Sequence, residues 1–249
     1  MRVASGTPPR FSRSTTTAQP QIVRTIPADD LRVAHPIFTL REAAGYLGVP
    51  KSTVHQWASH AGRSALITVL PRRGAQATVP FIGFAEAYVL AAFRRAGVPL
   101  QRIRPAVDVL RREIGIAYAL ASQRMFTDGA EVLFDYAEQR DEKDLLDLVV
   151  VRTGQRQFSD LVRDYLRRIS YGTDGWANEL ELPSYSEARV IVNPEVAFGM
   201  PIVTGAGARV EDLVDRFLAG DTVADIAADF DVAASQVEDV IRVATRTAA

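Results

Sequence analysis

Hydrophobic residues between positions 38 and 57 fall at helical spacings that are interrupted once. The interruption is the run 48–50, Gly-Val-Pro, which suits a left-handed helix end followed by a new first turn. Thr39 and Glu42 match the capping box that begins a helix. The pattern therefore predicts two short helices joined by a tight turn, a helix-turn-helix. Its apolar positions are Leu40, Ala43, Ala44, Leu47, Val49, Val54 and Trp57.

The rest of the chain alternates helical and strand patterns. Apolar runs at 66–70 and 78–82 flank Pro71-Arg72-Arg73-Gly74 and predict a β-hairpin with a basic tip. Together the elements predict a mainly α protein with small β elements, of the α+β class. The further elements we expect are helices at 84–96 and 100–113, a hairpin at 125–134, a buried strand at 145–151, a helix at 158–169, a loop or linker at 170–186, a strand at 189–192, and helices at 210–219, 223–229 and 234–245.

Changes in composition divide the chain into four parts. Residues 1–36 are rich in proline and small polar residues, so they bury little surface and are expected to form a flexible basic arm. We expect the other parts to be a winged helix-turn-helix with its following helices at 37–115, an α+β middle region at 116–186, and a three-helix module at 187–249.

The formal net charge of −1 conceals a division of sign along the chain. Residues 1–36, 37–80 and 81–115 carry +3, +4 and +3, whereas residues 116–192 carry −5 and residues 193–249 carry −6. A basic first half favours a polyanion partner, and an acidic second half favours a protein partner.

Composition also excludes several kinds of chemistry. The chain contains no cysteine, so disulfides, thiolate metal sites and cysteine nucleophiles are excluded. No apolar run approaches the roughly 18 residues of a membrane span, and we expect a cytoplasmic protein without membrane contact. The three histidines lack metal-ligand spacing, and the glycines at 205 and 207 lack the lysine of a phosphate loop. We expect neither an enzyme nor a cofactor.

A helix-turn-helix places its second helix in the DNA major groove. With Val54 and Trp57 turned inward, the N-terminal part of that helix presents polar side chains outward. Gln56 has the geometry to pair with adenine, and lysine and arginine contact phosphates. The candidate DNA-binding residues are Arg41, Lys51, Ser52, Thr53, His55, Gln56, Arg72 and Arg73.

Residues 38–115 resemble the winged helix-turn-helix of MerR-type regulators and phage excisionases. The resemblance rests on the run F-T-L-R-E-A-A-G-Y-L-G-V-P-K-S-T-V-H-Q-W, on the basic hairpin after it and on A-G-V-P-L-Q-R-I. It implies that the hairpin is a wing placed on phosphates and that the chain binds double-stranded operator DNA. A homodimer is expected, because one short recognition helix reads few bases.

Residues 193–205 and the helices after them are similar to small three-helix domains found in bacterial antitoxins. This resemblance implies a VapB-like antitoxin that represses its own operon and binds a PIN-domain ribonuclease toxin. The last helices also form a second helix-turn-helix pattern, but the net charge of −6 over residues 193–249 disfavours DNA, so dimerisation or toxin binding is the expected role. The acids expected to face outward on these helices are Asp221, Asp225, Asp229, Asp231, Glu238 and Asp239. Two alternatives remain open: an effector-sensing regulator whose region 116–192 binds a small molecule, and a protein-interaction scaffold without DNA function.

Overall fold

The structure is a computed structural model that describes residues 26–59, 65–71, 76–152 and 155–248. The helices in these ranges are α1 (Leu31–Ala34), α2 (Leu40–Leu47), α3 (Lys51–Ala58), α4 (Phe81–Arg95), α5 (Leu100–Ile114), α6 (Gln123–Thr127), α7 (Gly129–Arg140), α8 (Lys143–Leu146), α9 (Asp160–Leu166), α10 (Val210–Leu218), α11 (Val223–Phe230) and α12 (Ala234–Ala248). The strands are β1 (Pro36–Phe38), β2 (Val79–Pro80), β3 (Val149–Arg152), β4 (Gln155–Phe158), β5 (Ile169–Tyr171), β6 (Ala177–Glu181), β7 (Val190–Val192), β8 (Ile202–Val203) and β9 (Ala208–Arg209).

All strand pairs in the described ranges are antiparallel, and they form three sheets. Strands β1 and β2 pair beside the helix-turn-helix, β3 and β4 form a hairpin, and β5 to β9 form a five-stranded sheet in chain order. The predicted class, mainly α with small β elements, is therefore confirmed. No helix in the described part of the chain is long and apolar enough to cross a bilayer.

Helix α4 is the centre of the hydrophobic core. Every residue from Phe81 to Phe93 is buried, because the sequence of this helix is apolar on all of its faces except at Glu86. It packs against α1, α2 and β2 on the side of the helix-turn-helix, and against α9 and β6 of the region that follows. The buried residues of the first half of the chain therefore continue into one core with those of the second half.

The prediction of a hairpin from the runs 66–70 and 78–82 was wrong, because the two runs do not pair with each other as strands. Residues 66–70 contain no strand, and β2 pairs with β1 instead, with Phe38 opposite Val79. One hydrogen bond, from Leu70 N to Thr78 O at 2.8 Å, joins the two runs. Pro80 ends the strand, since it lacks a backbone donor, and the residues from Phe81 onward begin α4.

The hairpin expected at 125–134 was also wrong, because the region is helical. Asp128 is at once the C-cap of α6 and the N-cap of α7, and Gly129 is the first residue of α7. The Thr-Asp-Gly sequence therefore forms a turn between two helices. The local sequence alone does not distinguish such a turn from the turn of a hairpin.

Two further expectations in the middle region need correction. In the run 145–151, Leu145 belongs to α8 and only the last residues form β3, in which Val151 is 56% exposed rather than buried. The run 170–186 is not a loop throughout. A turn closed by Gly175 N donating to Gly172 O joins β5 to β6, which supply two strands of the five-stranded sheet. The helix expected at 158–169 is present as α9.

The three helices expected near the C-terminus are present as α10, α11 and α12. Asp239 on α12 was expected to point outward, but it is only 1% exposed. Its Oδ2 accepts hydrogen bonds from the backbone N–H groups of Ser186, Glu187 and Ala188 at 2.6, 2.7 and 3.0 Å. Arg242, one turn away, pairs with the other oxygen. The carboxylate thus fastens α12 to the segment that precedes β7.

Candidate nucleic-acid interface

The first helix of the helix-turn-helix, α2, is closed at both ends by side chains and a glycine. Glu42 N donates to Thr39 Oγ1 at 3.2 Å, and Thr39 N donates to Glu42 Oε2 at 2.7 Å, so the predicted capping box is present. At the other end Gly48 has φ 62° and ψ 36°, the left-handed conformation that glycine adopts without strain. Both ends of α2 are therefore fixed, and Gly48 leads the chain into α3.

The second helix, α3, separates a buried side from an exposed side. Val54 and Trp57 are fully buried, as the sequence predicted. Of the candidate DNA-binding residues, Thr53 is half-buried, and the exposed ones are Arg41, Lys51, Ser52, His55 and Gln56. In the described part of the chain no acidic side chain pairs with Arg41 or Lys51, so the positive charge of this face is not neutralised.

Two arginines that the sequence analysis did not single out hold the helix-turn-helix from outside. Arg95 on α4 donates from its guanidinium to Leu47 O at 3.1 Å, at the C-terminal end of α2, and lies 5.5 Å from the ring centre of Tyr165. Arg104 on α5 donates to Gln56 O at 3.1 Å. A positive group beside the last carbonyls of a helix is favourable because it complements the helix dipole. Each of the two arginines lies 48 positions from its partner, so no local sequence pattern indicates these contacts.

The segment that leads into the expected wing is anchored by a buried acid. Glu86 on α4 is fully buried and accepts from Thr68 N at 2.6 Å. Arg111 on α5 donates to Ala65 O and Leu66 O, both at 2.8 Å, and its guanidinium lies 3.6 Å from Glu86 Oε1. Burial raises the pKa of Glu86 to about 7, although Arg111 and the Thr68 hydrogen bond lower it.

A raised pKa in the folded state makes Glu86 stabilising while it is protonated. That contribution is fully present below the ordinary pKa of 4.5 and is lost as the pH rises through about 7. We expect the free energy of unfolding to lose about 2 kcal/mol from this group between about pH 5 and about pH 7. Glu86→Gln removes the titration, so urea unfolding of that variant should lack this part of the pH dependence. Glu113→Gln, an exposed acid on α5, is the control and should keep it.

The two arginines expected at the tip of the wing, Arg72 and Arg73, lie outside the described residues. On the two sides of this run, Leu70 and Thr78 share a backbone hydrogen bond. Thr78 N in turn donates to Phe38 O at 3.0 Å, next to the start of α2. The described flanks of the two arginines therefore lie beside the helix-turn-helix.

Other parts of the described chain offer little for chemistry. No group of three or more metal-ligating side chains is found among the described residues. The run 205–207, considered above as a phosphate loop, forms the turn between β8 and β9, where Gly207 N donates to Val203 O. Arg216 on α10 pairs with Asp221 and with Asp229, and the other acids of α11 and α12 remain exposed, with Asp239 as the exception.

Two protein families match separate parts of the chain. Residues 36–107 match the family described as "Putative DNA-binding HTH domain", and residues 190–244 match "Protein of unknown function (DUF433)". The first of these families points to DNA binding, and the description of the second names no function.

Similar proteins occur in Mycobacterium tuberculosis. The chain is 28% identical over 215 residues to "Uncharacterized protein Rv2308", covering 82% of this chain and 88% of that protein. The crystal structure of Rv2018 superposes with a TM-score of 0.77 at 43% identity, covering 85% of this chain and all of that one. Over 228 residues the chain is 42% identical to the protein named "Putative antitoxin VapB45", covering 85% of this chain and 95% of that protein. This chain belongs to the VapB45 family and carries a helix-turn-helix DNA-binding domain.

Proposed function

We propose that this protein is a DNA-binding antitoxin that represses its own operon and neutralises a PIN-type ribonuclease toxin encoded beside it. The observation that carries the DNA-binding part is the exposed polar face of α3, which is held rigidly by buried residues and is not neutralised by acids. The name of the relative, "Putative antitoxin VapB45", supports the antitoxin part. The operon and the toxin would both be found in the cytoplasm.

In this proposal α3 enters the major groove of the operator. Lys51 and Ser52 at its N-terminus contact phosphate or base edges, with Thr53 and His55 beside them and Arg41 on α2 adding charge. Gln56 pairs with adenine. The connection bearing Arg72 and Arg73 acts as a MerR-like wing on adjacent phosphates, and two copies of the chain bind a two-fold operator as a homodimer.

The salt dependence of operator binding tests the role of Lys51. Each phosphate contact that is lost lowers the slope of log affinity against log salt concentration by about one. Lys51→Ala should show that loss, whereas Lys143→Ala, the same charge change on α8 outside the helix-turn-helix, should leave the slope unchanged. Fluorescence anisotropy over a salt series measures both. Equal slopes for wild type and Lys51→Ala would refute the assignment of α3 to the groove.

Gln56 should act on specificity rather than on charge. Replacing it by Ala is expected to relax the preference for adenine at one operator position with little change in salt slope.

The antitoxin part is tested by co-expression with the product of the neighbouring reading frame. The two proteins should purify as a complex, and the complex should lack the ribonuclease activity of the free neighbour. A neighbouring gene that encodes no nuclease, or a nuclease that ignores this chain, would contradict the proposal.

A second candidate function is an effector-sensing regulator, and one observation favours it. A cavity of about 870 Å³ lies in the middle region, with Arg156, Arg163 and Phe158 in its lining. Its size is within the range of small-molecule sites. Thermal-shift screening of metabolites, with and without operator DNA, separates the two functions, because an effector should raise the melting temperature and change operator affinity.

A further inference from the structure

The turn from Val196 to Gly199, here called the Phe198 loop, presents an aromatic side chain to solvent. Phe198 is 83% exposed, and Val196 beside it is 41% exposed. Exposed apolar side chains are common singly on protein surfaces. The backbone conformation at Phe198 is unusual.

Ala197 and Phe198 both have positive φ angles, of 49° and 55°. Residues with a Cβ adopt this left-handed region at a cost in conformational energy, and a bulky aromatic residue does so rarely. Glycine at position 198 would remove both the strain and the exposed ring. Strained backbone of this kind persists where the surrounding structure enforces it, and it is concentrated at binding and catalytic sites.

The surroundings of the loop do enforce the conformation. Val196 N donates to Asn193 O at 3.1 Å, Gly199 N to Val196 O at 2.9 Å, and Met200 N to Ala197 O at 3.0 Å. Gly199 lies so close to β1 that a Cβ there would be 2.6 Å from Ile37 Cγ2. The ring of Phe198 is therefore carried on a rigid support, and little conformational entropy remains to be lost when a partner binds.

The charge of the surrounding module, residues 193–249, indicates which kind of partner would bind the Phe198 loop. Residues 193–249 carry ten acids against four arginines, and Glu195, directly before the loop, is exposed. A second copy of the module would bring the same charge and be repelled, whereas a basic surface would be attracted. The complementary occupant is a basic protein with an apolar pocket that accepts a phenyl ring.

We infer that the Phe198 loop is the anchor by which this chain binds its toxin, with Phe198 inserted into an apolar pocket on a basic face of the ribonuclease. The inference rests on the proposed antitoxin function. Aromatic side chains held rigidly at the centre of an interface carry a large share of its binding energy.

The test uses the full chain and the nuclease encoded by the neighbouring reading frame, with the dissociation constant measured by calorimetry. Phe198→Ala and Phe198→Gly should each weaken binding by about tenfold or more. Phe198→Gly should also raise the urea midpoint of unfolding of the free chain, because glycine relieves the positive φ. The matched control is Leu218→Ala, which removes a 74% exposed apolar side chain from the end of α10 and should leave binding unchanged.

Each other result overturns the inference in a distinguishable way. If wild type binds the nuclease and the Phe198 variants bind equally well, the anchor is refuted while the antitoxin function stands. If Leu218→Ala weakens binding as much as Phe198→Ala, the anchor role is likewise refuted. If the variants change only the self-association of this chain in sedimentation, the occupant is a second copy. If wild type does not bind the nuclease, the inference fails together with the proposed function.

Discussion

Asp239→Ala is expected to lower the free energy of unfolding by about 3 kcal/mol, since it leaves one buried and two part-buried backbone donors without an acceptor. Oδ2 of Asp239 accepts three backbone N–H groups, those of Ser186, Glu187 and Ala188, and Arg242 loses its ion pair in the same variant. Each orphaned buried donor costs about 1–3 kcal/mol, reduced where water reaches the site. Urea unfolding followed by circular dichroism measures the change.

The neighbouring residue supplies a matched control. Glu238 is exposed, so Glu238→Ala makes the same change of charge without removing a buried acceptor and should shift stability by less than about 0.5 kcal/mol. Asp239→Asn keeps an acceptor of similar size and should fall between the two. Similar stabilities for Asp239→Ala and Glu238→Ala would contradict the role of this carboxylate.

Acid should reproduce part of the Asp239→Ala effect. Burial alone raises the pKa of Asp239, but the hydrogen bonds from Ala188 and Glu187 and the contact with Arg242 hold it below its usual value. A lowered pKa means that the stabilisation is present above the ordinary pKa and is lost as the pH falls through the lowered one. The acid limb of the stability curve should therefore be shallower in Asp239→Ala.

Gly83→Ala is expected to cost about 3 kcal/mol and to weaken operator binding, although residue 83 lies outside the candidate interface. A Cβ on Gly83 would stand 2.0 Å from Thr68 O, which is a backbone atom and cannot rotate away. Helix α4 and the segment at Thr68 must then separate, and the hydrogen bond from Thr68 N to Glu86 is disturbed. Because this segment leads into the expected wing, the flanks of Arg72 and Arg73 should shift with it.

Gly129→Ala is the control for the effect of Gly83→Ala. It makes the same substitution at the first residue of α7, but its Cβ would meet the sulfur of Met125 at 2.9 Å, the far end of a flexible side chain. Its cost should be below about 1 kcal/mol. Operator affinity and the urea midpoint of unfolding are measured on both variants. An unchanged operator affinity in a folded Gly83→Ala protein would show that the wing segment does not contribute to binding.

The helix-turn-helix could be predicted because its signals act over short distances. Thr39 and Glu42 cap a helix three residues apart, Gly48 supplies the left-handed end, and Val54 with Trp57 repeats the helical spacing. Each of these features depends on residues that are close together in the chain. The exposed face of α3 followed directly from that pattern.

The supports of the helix-turn-helix could not be predicted, because they act between distant parts of the chain. Arg95 reaches Leu47 and Arg104 reaches Gln56, in both cases across 48 positions. Asp239 looked like one more exposed acid on a helix whose charge is mostly outward. Its burial depends on the packing of α12 against residues 186–188, for which the local sequence contains no sign.

The elements of the middle region were predicted wrongly for a different reason, because one turn sequence occurs in several kinds of structure. Asp128 and Gly129 join two helices, whereas the same residue types between strands would close a hairpin. The strands β5 and β6 are short and only half-buried at several positions, so their alternation is weak. Tertiary contacts with the rest of the five-stranded sheet decide their conformation.

The burial of α4 on all sides has a consequence for how the proposed operator specificity could change. The helix touches α2 on one side and α9 on the other, so a chimera that takes its DNA-reading half from a relative would join two surfaces that had not adapted to each other. Exchange of whole halves by recombination is therefore disfavoured. New operator preferences should instead be acquired by point substitution on the exposed face of α3, which can change without disturbing the shared core.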